Sequence, residues 1–377
     1  PVIAKIEGLF KDVKEGERIA VDGYAGSVYI NPSKEIVNRI SAKLEAKRKE
    51  LEQIQKLKNL TSKTKDKERI NLYLNIGMDF DIEYIKSTNC DGVGLYRTEI
   101  PFMSSNEMPD INKQVSCYKK LLDAAGDKKV IFRSLDVGSD KLLPYWKNID
   151  EENPAIGWRS IRITLDRRAI LRKQMRAFIR AASGKDLYIM FPMISDLDEF
   201  LEAKETFDFA YEREAKEGYP LPKSVHLGLM IEVPSVVFQL REILKHCDFI
   251  SVGTNDLYQF FFACDRGNSR LSGRYDVLSA PFLNLMKKII KEANAANVTC
   301  SVCGEMASNP LEAMVLIGLG YRNLSVSGAR YADVKKMIRS MKVEDVEDYI
   351  RTLLKSSKTS IRPQLMAYAY DHTIAIE

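Results

Sequence analysis

Long hydrophobic runs are missing from this chain of 377 residues. No uninterrupted apolar stretch reaches the about 18 residues of a membrane span, so a soluble globular protein without a membrane helix is expected. Nucleotide-cradling devices are missing too: there is no GxxxxGK[ST] loop, and neither "GVGLYR" nor "GLGYRN" completes a GxGxxG fingerprint. ATP or NAD binding through these residues is therefore not expected. Cysteine is sparse, six residues without the dense regular spacing of a stapled extracellular domain, which fits a reducing cytoplasm. A basic-then-apolar leader is lacking at Pro1, so no secretion signal is expected, and the absent Met suggests a piece cut from a longer chain. An excess of charge of one sign is also nearly lacking: 57 basic against 52 acidic residues leave +5, too little to indicate nucleic acid by itself.

What is present changes in texture along the chain. Residues 1–33, with "RIAVDGYAGSVYINPS", carry short β-branched runs joined by a Gly turn, the pattern of a hairpin at the edge of a small domain. Residues 34–66 are rich in Lys, Glu and Leu at helical spacing and then turn polar, predicting a linking helix and a solvated loop. Beyond them, apolar runs alternate with amphipathic stretches: "INLYLNIG", "GVGLYRTE", "VIFRSLDVG", "LYIMFPMI", "HLGLMIEVP", "FISVGTND", "VTCSVCGEM" and "NLSVSGAR". This recurrence predicts parallel strands with intervening helices, and its length favours an α/β fold closed as a (β/α)8 TIM barrel over residues 67–377. The segment "NPAIGWRSIRITL" could add a strand or be a loop.

Ligands of parallel α/β folds gather at the carboxyl ends of strands. Here those ends carry Arg97 and Glu99, Arg133 and Asp136, Glu232, Asn255 and Asp256, and Cys303 and Glu305. A lone Arg at such an end is usually an ion-pair partner and a lone acid a helix cap; their concurrence at equivalent positions weakens that reading. Arg97, Arg133, Arg159 and Arg266 offer forked donors for carboxylate or phosphate. Glu232 and Asp256 are hard oxygen ligands of the kind Mg²⁺ uses when phosphate and water complete its shell. A small, multiply anionic phosphate ester is the expected occupant.

The pair Cys300 and Cys303 leaves several readings open. A zinc site needs two further ligands, yet no second CxxC exists and His226, His246 and His372 form no recognisable ligand pair. A redox dithiol belongs at a helix start in a small thioredoxin-like context, which a barrel does not supply. Two ordinary core cysteines and a lone reactive thiol remain, and strand alternation points residues 300 and 303 to opposite faces.

The ordered set "GVGLYRTEIPFM", "FRSLDVGSDK", "NPAIGWRSIRI", "IMFPMI", "GLMIEVPS", "FISVGTNDLYQFFFACDRGN" and "VCGEMASNPLEA" resembles the phosphoenolpyruvate (PEP)-utilising enzymes, and within them Enzyme I of the bacterial phosphotransferase system. "WRSIR", "LPYW", "RYDVLS" and "LIGLGYRNLSVS" look closest to its nitrogen-branch paralogue. The resemblance implies a PEP–protein phosphotransferase that binds PEP and Mg²⁺, passes the phosphoryl group to a histidine on a swivelling domain, and releases pyruvate. It implies that residues 1–33 are the end of that phosphohistidine domain, that the acceptor histidine is absent here, and that residues 67–377 are the PEP-binding barrel with a C-terminal extension. It further implies an HPr-like phosphocarrier partner, a homodimer, and no nucleic-acid or membrane partner. By position, Arg97, Arg133, Arg159, Arg266, Asn255 and Asp256 become substrate ligands, Glu232 and Asp256 metal ligands, and Cys303 the proton donor. Ser139, Ser308 and Asn309 depart from the family's glycine-rich and "GD" text.

Overall fold

A computed structural model describes residues 13–376 apart from 23–26, 104, 139–142, 144, 146–150, 266, 269, 272 and 356–359, with backbone alone over 46–56. Two compact units divide between Leu60 and Thr61. In the first, β1 (Ile19–Asp22) and β2 (Ser27–Ile30) pair antiparallel as the hairpin expected from their β-branched runs. The linking helix also forms, over Lys34–Lys58, with Ser33 at its start accepting a hydrogen bond from the Ile36 N–H.

The second unit is built on β3 (Asn71–Ile76), β4 (Gly92–Arg97), β5 (Lys129–Arg133), β6 (Asp186–Phe191), β7 (Ser224–Ile231), β8 (Phe249–Val252), β9 (Thr299–Val302) and β10 (Asn323–Ser327). They close a parallel barrel in sequence order, β10 lying beside β3. Each strand matches one of the eight apolar runs, and intervening helices return the chain so that every neighbour runs parallel. The ambiguous "NPAIGWRSIRITL" adds no strand. It turns at 154–157 and forms the helix Ile161–Asp166, which buries Ile161, Ile163 and Leu165.

Period-two alternation divides the core. On β3, Leu72, Leu74 and Ile76 pack outward under the helices. Leu95, Ile131, Met190, Met230, Phe249 and Cys303 form a separate cluster inside the barrel. The amino-terminal end of that interior is filled: Lys129 Nζ lies 4.3 Å from the Tyr188 ring centre and 5.3 Å from that of Phe249, and Tyr188 stacks on His226 at 4.4 Å.

The β9–β10 seam is thin. It has one register pair, Leu324 with Val302, where β8–β9 has four. A side-chain bridge crosses it: Asn71 Nδ2 donates to Asn323 Oδ1 at 2.9 Å, and Asn323 Nδ2 donates to the Cys300 carbonyl at 3.1 Å.

The solvated loop expected before residue 67 is a pinned connection instead. Ser62 and Thr64 are buried, the Lys65 N–H donates to the Met341 carbonyl at 2.8 Å, and Asp66 accepts from the Val343 N–H at 2.7 Å. Its polar side chains concealed this, because most of the partners are backbone groups nearly three hundred positions away. The C-terminal helices Val343–Leu353 and Arg362–Asp371 complete the unit. Among the described residues no helix is long and apolar enough to cross a membrane.

Candidate active site

At the carboxyl end of the barrel a cavity of about 260 Å³ opens among the strand termini. Its polar wall brings together Arg97, Arg133, Glu232, Asn255, Asp256 and Cys303 from five different strand ends. Arg159 stands one step behind that wall, and Arg266 lies outside the described residues. The arginine that ends β4, Arg97, is exposed, and no carboxylate pairs with it among the described residues.

Behind it runs a buried chain of alternating charge. Arg133 Nη2 lies 2.5 Å from Glu99 Oε1 and 2.9 Å from Asp136 Oδ2. Asp136 Oδ1 is 3.0 Å from Arg159 Nη2, which in turn is 3.7 Å from Asp256 Oδ2. Burial opposes the charge on Arg133, but Asp136, Glu99 and Glu232 outweigh it and hold the guanidinium ionised. Such a network fixes the guanidinium planes before any ligand arrives.

Glu232 follows β7 and accepts from the Met193 N–H at 2.6 Å. Burial, then Asp256 and Asp136, push its carboxyl up to about 8, against the opposing pull of Arg133. Gly253 makes room for it: a Cβ there would sit 2.8 Å from Glu232 Oε2 and from Met230 Sδ. Asn255 and Asp256 lie in the first turn of the helix Thr254–Phe261. Asn255 is held by Glu305, whose N–H donates to its Oδ1 at 2.9 Å and whose carboxylate accepts from its Nδ2 at 3.3 Å.

Cys303 lies just past β9, 4% exposed, with its N–H on the Val252 carbonyl at 3.1 Å and its Sγ donating to the same oxygen at 3.6 Å. Gly304 lets the ends of β8 and β9 close together, since a Cβ there would collide with Thr254. Burial pushes the Cys303 thiol up to about 11, with Glu232 adding to this and Ser251, Arg133 and Arg97 opposing it. At neutral pH it is a thiol and can donate a proton; it is not a standing thiolate nucleophile. Cys300 faces the other way, into the outer core, as alternation required.

Four acids line the cavity; Glu99 and Asp136 pair with Arg133, Glu232 and Asp256 are the other two, and no cluster of three or more His, Cys, Asp or Glu able to hold a metal occurs among the described residues. This donor set suits a hard cation that takes its other ligands from substrate oxygens and water. Arg97, Arg133 and Arg159 face four acids here, Glu99, Asp136, Glu232 and Asp256; Glu232, pushed up to about 8, is largely protonated at neutral pH until a cation draws it to the carboxylate, so cation and anionic ligand favour each other's arrival.

Sequence reasoning did not mark the apolar wall of Leu95, Ile100, Met103 and Met230. A signal existed: Leu95 and Met230 lie two positions before Arg97 and Glu232, hence on the same inward face. Glu99 and Asp136 were visible as strand-end charges but not as the partners of Arg133. Of the departures in loop text, Asn309 caps the helix Pro310–Gly318 by accepting from the Leu311 and Glu312 N–H groups, and Ser308 Oγ accepts from the Ser327 N–H at 3.0 Å. Ser139 lies outside the described residues.

Residues 51–343 match the family described as PEP-utilising enzyme, PEP-binding domain. Among similar proteins, one named "Phosphoenolpyruvate-dependent phosphotransferase system" from Salmonella typhimurium is 41% identical over 93% of this chain and 47% of its own length. Its Escherichia coli namesake matches at 41% with the same coverage. A "Phosphoenolpyruvate-protein phosphotransferase" of Staphylococcus carnosus is 36% identical over 92% of this chain and 61% of its own. The chain thus spans about half to three fifths of the length of these relatives.

Proposed function

Because the chain belongs to the PEP-utilising enzymes, of which it holds the PEP-binding domain, we propose that it is the PEP- and Mg²⁺-binding barrel of an Enzyme I type PEP–protein phosphotransferase. The observation that carries the reading is one small cavity whose wall joins exposed Arg97, pre-oriented Arg133, the carboxylates of Glu232 and Asp256, and the protonated thiol of Cys303.

In this reading Arg97 and Arg133, with Arg266, neutralise the carboxylate and phosphoryl oxygens of PEP, and Asn255 and Asp256 orient it. Arg159 assists from behind through Asp136 and Asp256. Glu232 and Asp256 would hold Mg²⁺, which supplies charge neutralisation at the phosphoryl oxygens when bound. A histidine of a swivelling domain, of which residues 1–33 are the end, attacks phosphorus; the P–O bond breaks and its electron pair stays on the enolate oxygen. Cys303 then gives its proton to carbon 3, the enolate collapses to the ketone, and pyruvate leaves while water reprotonates the thiolate. Leu95 and Met230 line the wall near the thiol and exclude water from the methylene side.

The full-length protein would pass the phosphoryl group to an HPr-like carrier, act as a homodimer through the barrel, and work in the cytoplasm. The six free thiols agree with a reducing compartment. The motif text favours the nitrogen branch. Calorimetric titration of the chain with PEP tests the ligand set: binding strong with Mg²⁺ and weak with chelator is expected, and equal affinity in both removes the metal from the site. Labelled PEP should phosphorylate the full-length protein; binding without labelling would mark a sensor of PEP.

A further inference from the structure

Cys303 is held firmly from one side by the ladder. Its N–H and Sγ both meet the Val252 carbonyl on β8, and Glu305 two residues on is tied to Asn255. On the other side lies the thin β9–β10 seam, whose one register pair stops at Val302. The Cys303 carbonyl therefore has no place in the regular ladder. A side chain reaches it from β3, two strands away: Asn75 Nδ2 donates to the Cys303 carbonyl at 3.0 Å and to the Ser325 carbonyl at 3.1 Å. Asn75 Oδ1 accepts from Ser325 Oγ at 2.7 Å. Two carbonyls can only accept, so the amide orientation is determined by its partners and all its near neighbours are complementary. Ser325 is itself fully buried, and Gly94 leaves the room it occupies, since a Cβ at 94 would sit 2.5 Å from Ser325 Oγ.

We infer that Asn75 is a positioning residue for Cys303: by binding the Cys303 carbonyl across the seam it sets the direction of the thiol toward the methylene carbon of bound enolpyruvate. The inference rests on the reading of Cys303 as proton donor. Without Asn75 the Cys303 carbonyl loses its tie across the seam, where only the register pair Val302 with Leu324 joins β9 to β10, and a drift of about 1 Å in a proton donor is enough to cost on the order of 10²-fold in rate. Asn71 and Asn323 make a similar bridge to the Cys300 carbonyl lower in the seam, so the strand stays in place while its reactive end loses its guide.

The test uses the full-length protein with Mg²⁺ and separates proton transfer from phosphoryl transfer. Proton transfer is read as deuterium entry into the methyl group of pyruvate in D₂O, where the small thiolate fraction of Cys303 takes a methyl proton from bound pyruvate to give the enolate and the thiol, the thiol exchanges its proton with solvent, and deuterium returns to carbon 3 as the thiolate re-forms. Phosphoryl transfer is read as the single-turnover labelling of the enzyme by PEP. Asn75→Ala and the near-isosteric Asn75→Leu, which cannot donate, should slow deuterium entry about 10- to 100-fold while the KM for PEP and the labelling rate stay within about threefold. Ser325→Ala, which loosens Asn75 without removing its donors, should give a smaller loss of the same kind. Deuterium entry within about twofold of wild type in both Asn75 variants overturns the inference, as does a parallel loss of labelling and exchange, which marks a merely structural role. Cys303→Ala runs alongside: if it keeps full exchange, the proton-donor reading itself falls, and this inference with it.

Discussion

Cys300 and Cys303 stand three positions apart, yet one is packed into the outer core and the other looks into the cavity. That separation follows from strand pleating and was legible before any coordinates. What was not legible is how Cys303 is held, because Asn75 lies 228 positions away and reads in sequence as an ordinary polar residue of an alternating strand. The two thiols should part company on substitution in the full-length enzyme. Cys303→Ala should leave PEP binding nearly intact and slow pyruvate formation by roughly 10²- to 10⁴-fold, the loss of a general acid. Cys300→Ala should leave turnover unchanged per folded molecule and cost about 1 kcal/mol of stability through a small cavity. Turnover, PEP affinity and melting temperature on the two variants check this, and normal turnover without Cys303 ends the catalytic-thiol reading.

The elements themselves announced their identities unevenly. Eight apolar runs gave eight strands, because strands buried on both faces need near-continuous hydrophobicity. The stretch around Ile161 stayed ambiguous, because a six-residue helix with β-branched residues on its buried side has no period long enough to read. The C-terminal extension was silent for another reason: beside the buried Ile361, Leu365 and Ala369, much of its hold is ionic. Arg362 pairs with Asp276 at 2.8 Å and with Glu312 at 2.7 Å, Ser360 Oγ donates to Asp276 at 2.6 Å, and the Ile361 N–H reaches the Leu278 carbonyl at 2.9 Å. These contacts anchor the segment between the helices Thr254–Phe261 and Ala280–Ala295, the one that carries Arg266. Burial alone would raise the Asp276 carboxyl, but hydrogen bonds from Arg362, Ser360 and the Leu278 N–H hold it below the usual range. A carboxyl held low stabilises the fold above its unfolded value of about 4 and loses that contribution as pH falls through the lower folded value. Arg362→Ala should therefore destabilise the unit by about 2 kcal/mol at neutral pH, and the gap to wild type should narrow below about pH 4. Denaturant unfolding across that range measures it; a gap that stays constant to pH 3 contradicts the assignment.

For the molecule as a whole, the barrel and its family were readable because the motifs sit at strand ends, where chemistry constrains sequence most tightly. The homodimer rests on the resemblance alone, since no residue pattern in a barrel specifies which outer face would be covered. Sedimentation of the chain at about ten micromolar and above should give a dimer mass that dissociates on dilution, as mass action requires. A monomer throughout that range counts against the homodimer.

The filled floor of the barrel, where Lys129 lies against Tyr188 and Phe249, leaves the carboxyl end of the strands as the side on which the cavity opens among the described residues. In the function proposed above, substrate, product and the incoming histidine would all share that side. In the proposed reading PEP would enter while that side is clear, the histidine would then stand there, and pyruvate would wait until the histidine had withdrawn. Traffic of this kind would be a turnstile: phosphoryl donor and phosphoryl acceptor would alternate, so excess pyruvate or a lingering swivelling domain would each stall the cycle by occupying the threshold.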